Sequence, residues 1–356
     1  MTAPAQTPAG SAAAPPRAED VAATEASIEA SARRSARRAR REGGLVGVVI
    51  ELTKARLNGL VLVTTAVGYL LARLGEPDWM RLGWTMLGTA LAAASAAMLN
   101  QLAERHRDAL MDRTAHRPLP RGVVPAPLVF VAGVLTGFAG FGILALNVNL
   151  LSAFLAGTNI LLYIAVYTPL KPRTTLNTLF GAVCGGIPPM IGWAAVTNDL
   201  EPGAWLLGAI LFVWQVPHFM ALAWMYREDY RRGGMTMLPV VDPRGELTAR
   251  VMVVTSLLLA PLGMSATLGG LCGWFSAAAS LLTALWMTWM SYRFYVERSD
   301  VRAREAFLAS IVYLPIALAV MVIDRGPVSS EAWLHGDRGP VGLTLPQPPA
   351  DAGATR

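Results

Sequence analysis

The chain has 356 residues, of which 54% are hydrophobic and only 15% are charged, and its net charge is +6. A mean hydropathy of +0.44 excludes an ordinary soluble protein. The composition predicts an all-α polytopic membrane protein that is surrounded by the lipid bilayer, and no nucleic-acid partner is expected.

The first 44 residues are rich in Ala, Pro, Ser and Thr and end in a basic run over residues 33–41. No apolar core of the signal-peptide type precedes that run. We therefore expect residues 1–44 to be a disordered tail facing the cytoplasm. Arginine and serine also suit a mitochondrial leader, but the acidic residues between positions 19 and 29 do not. A bacterial cytoplasmic membrane is therefore favoured over the mitochondrial inner membrane.

Nine apolar spans follow, each near the roughly 20 residues that cross a bilayer. They lie near residues 57–74, 84–103, 123–145, 150–170, 176–196, 203–225, 250–269, 272–292 and 306–323. We expect one domain over residues 45–323 and a disordered tail over residues 324–356. Arginine-rich connections alternate with connections that carry few basic residues or none. The positive-inside rule then places the N-terminus in the cytoplasm and the C-terminus outside.

The end of the second span carries the first candidate site. Asn100, Glu104, Asp108 and Asp112 are four residues apart, so on a helix they form one polar stripe. Carboxylates that lie so close together repel each other unless a cation lies among them, and hard oxygen ligands suit Mg²⁺. We expect Glu104 and Asp108 to bind Mg²⁺, with Asn100 beside them. The alternative is a solvated helix end whose acids pair with neighbouring arginines.

Two further clusters lie in later loops. Lys171 and Arg173 can bind phosphate oxygens, although topology alone also demands basic residues there. Tyr167 can face a carbocation with its ring or contact a phosphate with its hydroxyl. His218 and Asp229 recur at helical spacing, so we expect them to share one helix face. Asp229 would bind a second cation, and His218 would bind an acceptor or transfer a proton. A structural hydrogen bond is the alternative for His218.

The fifth span is marked by small residues and prolines, which favour tight helix packing. We expect these residues to shape a cavity wall without doing chemistry. They are Gly181, Gly185, Gly186, Pro188, Pro189 and Gly192.

The acids and bases of these loops can hold a Mg²⁺-bound diphosphate at the mouth of an apolar cavity. The spacing Asn100-x₃-Glu104-x₃-Asp108, with Arg113-Thr and Arg117-Pro after it, resembles the first acidic motif of the UbiA-type intramembrane prenyltransferases. Residues 167–174 are similar to the loop motif before their fifth span. The resemblance covers about residues 50–323. It implies a nine-helix bundle whose site opens to the cytoplasm.

More particular motifs resemble the branch of that family that farnesylates haem. They are Met111-x-Arg113-Thr114, Trp214-Gln215-x-Pro217-His218-Phe219 and Asp229-Tyr230-x₃-Gly234-Met235. This resemblance implies farnesyl diphosphate as the donor, haem B as the acceptor, Mg²⁺ as the cofactor and haem O as the product. It also makes the downstream haem A synthase a candidate partner.

The resemblance implies roles for individual residues as well. Asn100, Glu104 and Asp108 would hold Mg²⁺ and diphosphate, while Asp229 would be a metal ligand and His218 would lie near the acceptor. Catalytic Lys171 would bind the diphosphate, and the other substrate-binding residues would be Arg113, Arg117, Tyr167, Arg173, Thr174 and Asn177. Many relatives carry a spaced Asp pair in the second acidic region, but here Met225 stands four residues before Asp229. The number of Mg²⁺ ions therefore stays open.

Three other functions stay open from the sequence. A prenyltransferase for an aromatic or quinone-precursor acceptor would need nearly the same acidic and basic motifs. A transporter of an anionic lipid or cofactor would also place arginines at one face, although no chain of polar residues crosses the spans. A structural assembly factor would show no dependence on Mg²⁺.

Overall fold

The computed structural model of the protein describes residues 44–73 and 75–326. Residues 44–51 are helical and belong to a first unit, whereas the second unit begins at Leu52. The described part of the second unit contains nine long helices. They are α1 (Ala55–Ala72), α2 (Trp79–Asp108), α3 (Ala126–Asn147), α4 (Leu150–Leu170), α5 (Asn177–Thr197), α6 (Pro202–Met225), α7 (Glu246–Leu268), α8 (Trp274–Val296) and α9 (Asp300–Ile323). The predicted tails, 1–44 and 324–356, lie almost wholly outside the described residues.

Eight of these nine helices are long and apolar enough to cross a membrane. Among the described helices, α8 has the length of a span without the same apolarity. Large apolar side chains also face outward, such as Phe138 at 73% and Leu146 at 87% exposure, where bilayer lipid can cover them. The predicted all-helical membrane architecture is therefore confirmed. Nine as the number of spans and the orientation of the termini stay predictions.

Helices α1 and α5 approach each other through glycine. A Cβ added at Gly192 would lie 1.9 Å from the carbonyl oxygen of Thr65, and one added at Gly68 would lie 2.0 Å from that of Pro189. Small residues let membrane helices approach this closely. The glycines of the fifth span therefore pack tightly, as predicted, and fix the position of α5 beside α1.

Two irregular segments shape the end of the bundle where α1 begins and α2 ends, which we term the basic end. Helix α4 becomes a π-helix over Leu162–Tyr167, a form often found at functional sites. Helix α6 ends at Met225, and a separate short helix, Arg227–Arg232, follows. The prediction that His218 and Asp229 share one helix face is therefore wrong, because the helix is interrupted between them.

Candidate active site

Three of the four residues in the predicted polar stripe lie buried in α2. Asn100, Glu104 and Asp108 are 0%, 6% and 1% exposed. Helix α2 ends at Asp108, so Asp112 lies beyond the helix, where it is exposed and pairs with Arg232. Buried charges destabilise a protein unless they are paired, so the carboxylates of the stripe require partners.

Three cations from three different segments contact the stripe. The contacts are Lys54 Nζ to Asn100 Oδ1 at 3.0 Å, Lys171 Nζ to Glu104 Oε1 at 2.7 Å and Arg117 Nη1 to Asp108 Oδ2 at 2.8 Å. The segments are the start of α1, the loop after α4 and the α2–α3 loop. Three basic side chains thus face two carboxylates and one neutral amide, so this cluster carries one surplus positive charge when Lys54 is protonated.

Lys171 lies between an acid and two aromatic rings. Its Nζ is 4.4 Å from the centroid of the Tyr167 ring and 5.9 Å from that of Tyr163, and the two rings meet edge to face. Burial lowers the pKa of Lys171, but the Glu104 carboxylate outweighs burial and raises this pKa above its ordinary value. Lys171 is therefore a fixed cation beside a π-rich wall that can stabilise positive charge.

Lys54 is a site residue that the sequence motifs do not reveal. It directly precedes α1, and its backbone is left-handed, with φ 49° and ψ 47°. Burial, together with the charges of Lys171 and Arg117, lowers the pKa of Lys54 to about 7. The positive-inside rule alone accounts for a lysine next to the first span. Asn100, which Lys54 contacts, is 46 residues away in the sequence. Sequence patterns therefore give no signal for this contact.

Asp229 engages backbone rather than the acids of the stripe. Its carboxylate accepts hydrogen bonds from the amides of Asp112 and Arg113, both at 3.3 Å, and pairs with Arg232. Burial raises the pKa of Asp229, but the hydrogen bonds from Arg232 and from these amides lower it below its usual range. Among the described residues, no three acidic, histidine or cysteine side chains gather as a metal site. Metal binding by Asp229 stays a prediction.

The Arg113 side chain packs against two aromatic rings. Its guanidinium lies 5.2 Å from the centroid of Tyr226 and 5.6 Å from that of Tyr230, and Nη2 is 3.4 Å from the Tyr230 hydroxyl. Since the Arg113 amide also donates to Asp229, this residue joins the α2–α3 loop to the segment after α6. Its predicted contact with substrate stays a prediction.

The loop after α4 is fixed by hydrogen bonds to the segment that follows α6. Thr236 donates to two carbonyl oxygens of this loop, and Asn177 Nδ2 donates to the Thr236 carbonyl at 2.9 Å. Asn177 is fully buried, Thr174 is half-buried and Arg173 is exposed beside them. Asn177 thus holds the loop in place, and the predicted substrate contacts of these three residues are untested.

His218 lies in α6 against α9. Its Nδ1 is 2.8 Å from Ser310 Oγ, and that hydroxyl donates to the Phe307 carbonyl at 2.6 Å. Because a serine hydroxyl has one proton, we assign the proton of His218 to Nδ1, which leaves Nε2 as an acceptor. The ring stacks on Trp214 and lies 4.8 Å from the Phe307 ring. The structural hydrogen bond considered as an alternative is present, whereas the role near an acceptor stays a prediction.

The UbiA prenyltransferase family model matches residues 61–314 of this chain. The chain belongs to this family. A relative named protoheme IX farnesyltransferase, from Solibacter usitatus, is 43% identical over 285 residues, which cover 78% of this chain and 98% of the relative.

Two solved structures share the UbiA fold with this chain. One, from work on digeranylgeranylglyceryl phosphate synthase in membranes, has a TM-score of 0.67 at 14% identity and covers 78% of this chain and 97% of its own. The other is a UbiA homologue from Archaeoglobus fulgidus bound to DMAPP and Mg²⁺, with a TM-score of 0.55 at 13% identity. It covers 77% of this chain and 99% of its own. These likenesses confirm the predicted UbiA-like bundle.

The donor set at the end of α2 suits a Mg²⁺ ion in this UbiA protein. Mg²⁺ prefers oxygen ligands and is usually held by one or two carboxylates together with substrate phosphates. Glu104 and Asp108 supply two carboxylates, and Asn100 supplies an amide oxygen on the same helix. Each of the three already has a cation within 3.0 Å, so the cluster accommodates positive charge at every position.

Proposed function

We propose that this UbiA protein transfers the farnesyl group of farnesyl diphosphate to a vinyl group of haem B and so forms haem O. The observation that carries the proposal is the buried stripe of Asn100, Glu104 and Asp108 with its three cations. The identity of 43% to a protoheme IX farnesyltransferase, over nearly all of that relative, supports haem as the acceptor. A polar mouth on an apolar helix bundle suits a diphosphate with a long hydrocarbon tail.

The stripe would hold Mg²⁺ through Asn100, Glu104 and Asp108. Bound Mg²⁺ neutralises negative charge on the diphosphate and makes it a better leaving group. Lys171 and Arg117 contact these acids and would turn to diphosphate oxygens when the acids bind the metal. The support for Mg²⁺ is this oxygen donor set together with the Mg²⁺-bound UbiA homologue from Archaeoglobus fulgidus.

The chemical steps balance with water as the third reactant. The bond between the farnesyl C1 and its oxygen breaks, and the electron pair leaves with the diphosphate. The vinyl π electrons of haem then form a bond to C1, and water adds to the resulting cation and loses one proton. Tyr163 and Tyr167 would shield the allyl cation from water, because their rings lie beside Lys171. His218 Nε2 is the candidate acceptor for the proton.

The apolar helices place the protein in a membrane. We propose the bacterial cytoplasmic membrane, with the basic end facing the cytoplasm, because the arginine-rich loops lie at that end. Haem A synthase, which would use the product, is the proposed downstream partner.

The test is turnover by the purified full-length protein in detergent. Haem B, farnesyl diphosphate and Mg²⁺ are supplied, and the haem is analysed by mass. We expect a farnesylated and hydrated haem that is no longer formed when a chelator removes the metal.

Other results would change the proposal in defined ways. Prenylation of an aromatic acid in place of haem would refute haem as the acceptor while keeping the prenyl transfer. Folded protein that consumes no farnesyl diphosphate with any acceptor would refute the enzyme and favour a transporter.

A further inference from the structure

Lys54 contacts Asn100 at the basic end of the bundle, which we also call the mouth of the site. The two carboxylates of the stripe pair with Lys171 and Arg117 instead of Lys54. We propose that Lys54 is a further diphosphate-binding residue, which exchanges its hydrogen bond to Asn100 for an oxygen of the donor's diphosphate. The proposal rests on the proposed function, since it requires a diphosphate at this mouth. None of the sequence motifs includes Lys54.

The orientation of the Asn100 amide defines what Lys54 contacts. Thr168 Oγ1 donates to the Tyr163 carbonyl at 2.7 Å, so this hydroxyl accepts the hydrogen bond from Asn100 Nδ2 at 3.1 Å. The amide oxygen of Asn100 therefore points to Lys54 Nζ. A neutral amide oxygen stabilises an ammonium less than an anion does, because charge-assisted pairs are the stronger hydrogen bonds.

With one Mg²⁺ and a protonated Lys54, the charges that contact the stripe match the charge of a diphosphate. Glu104 pairs with Lys171, and Asp108 pairs with Arg117, so these four charges cancel. Once Mg²⁺ is bound by the acids, three protein cations and the metal, less two carboxylates, leave three positive charges. A prenyl diphosphate carries about three negative charges near neutral pH. Without Lys54 the same count leaves one negative charge of the diphosphate uncompensated in a buried site.

The backbone at Lys54 supports a functional reason for its position. Its left-handed φ of 49° is unfavourable for a residue with a Cβ, and Asn198 is the other non-glycine with positive φ within the described ranges. Such conformations cluster at sites where function requires them. Lys171 and Arg117 contact the same stripe as Lys54, so an incoming anion would relieve the repulsion among these three cations.

The test measures binding rather than turnover. Full-length protein in detergent with Mg²⁺ is titrated by calorimetry with farnesyl S-thiolodiphosphate, whose bridging sulfur slows ionisation. We expect Lys54→Met and Lys54→Gln to weaken binding by about 10- to 100-fold, the loss expected for one charge-assisted hydrogen bond. Lys54→Arg should retain most of the affinity. Arg56→Met is the matched control, because it removes one charge from an exposed residue at the start of α1, two positions after Lys54.

Each outcome decides the proposal. Lys54→Gln keeps a donor for Asn100, so it separates the loss of charge from the loss of folding if Lys54→Met unfolds. Folded Lys54→Gln that binds the analogue as tightly as the wild type would overturn the proposal. An equal loss in Arg56→Met, or weaker binding of uncharged farnesol by the Lys54 variants, would overturn it too. If the wild type binds the analogue but forms no haem product in the turnover test, the proposed acceptor is refuted and the diphosphate contact of Lys54 still stands.

Discussion

Variants of the ion pair between Glu104 and Lys171 can distinguish its effect on stability from its effect on catalysis. Its atoms are 2.7 Å apart, and the two side chains are only 8% and 13% exposed. Removing one partner of a buried pair leaves an unpaired charge and costs about 3–5 kcal/mol. We expect Glu104→Gln and Lys171→Met each to lose about 3 kcal/mol of the free energy of unfolding, at the low end of that range. In Glu104→Gln the new side chain keeps a hydrogen-bond acceptor for Lys171, and in Lys171→Met the positive charge of Lys54 remains near Glu104.

The double variant Glu104→Gln/Lys171→Met removes both charges. Its loss should be smaller than the sum of the two single losses by about 2–3 kcal/mol, which is the coupling energy of the pair. Haem O formation should stay at least about 1,000-fold below the wild type in all three variants, because recovered stability replaces neither the proposed metal ligand nor the proposed diphosphate ligand.

The assay combines reversible unfolding in mixed SDS micelles with mass analysis of the haem product. The pair of Glu228 and Arg231 is the matched control, because its side chains are 68% and 50% exposed at the same end of the molecule. Its cycle should give a coupling of less than about 1 kcal/mol. Strictly additive losses at Glu104 and Lys171, or full turnover by their double variant, would refute this reasoning.

Two further predictions concern the aromatic wall and the loop contact of Asp229. Gly181→Ala places a Cβ 2.9 Å from Tyr167 Cε2, so the ring must move away from Lys171. We expect lower kcat with a stability loss of about 1–3 kcal/mol. Gly142→Ala, whose Cβ would meet no atom within 4 Å, should match the wild type, and equal kcat in both variants would contradict the assignment. Asp229 has a lowered pKa, so its stabilising contribution is present above its unfolded pKa of about 3.9 and is lost as the pH falls through its folded value. Lowering the pH from neutral to acidic should therefore reduce the melting temperature of the wild type more than that of Asp229→Asn. Parallel curves of melting temperature against pH for the two proteins would be inconsistent with this contact.

The family, the helical architecture and the main acidic stripe could be predicted from the sequence because each depends on local spacing. Residues four apart share a helix face wherever the helix continues, and α2 does continue through Asn100, Glu104 and Asp108. The same rule is wrong for Asp112 and for the pair of His218 and Asp229, because α2 and α6 end before the later member of each set. The sequence does not mark the end of α6, because the residue at the interruption is Tyr226 rather than a proline or glycine.

Contacts across long sequence distances could not be predicted in the same way. The Asp229 carboxylate accepts hydrogen bonds from the backbone amides of Asp112 and Arg113, which lie 117 and 116 positions earlier in the chain. A backbone amide is present in almost every residue, so the sequence does not mark which amides donate. The contact between Lys54 and Asn100 depends on how α1 packs on its neighbours. Both contacts are set by tertiary packing rather than by residue spacing.

Assembly of the site from separate segments has a physical consequence for how substrate is held. The cations reach the α2 stripe from the start of α1, the loop after α4 and the α2–α3 loop, and no two of them share a segment. Thr236 ties the loop after α4 to the segment following α6, and Asp229 ties that segment to the α2–α3 loop. A shift of one loop therefore strains the hydrogen bonds of the others. The three cations keep their contacts with the stripe only while all these segments are in place.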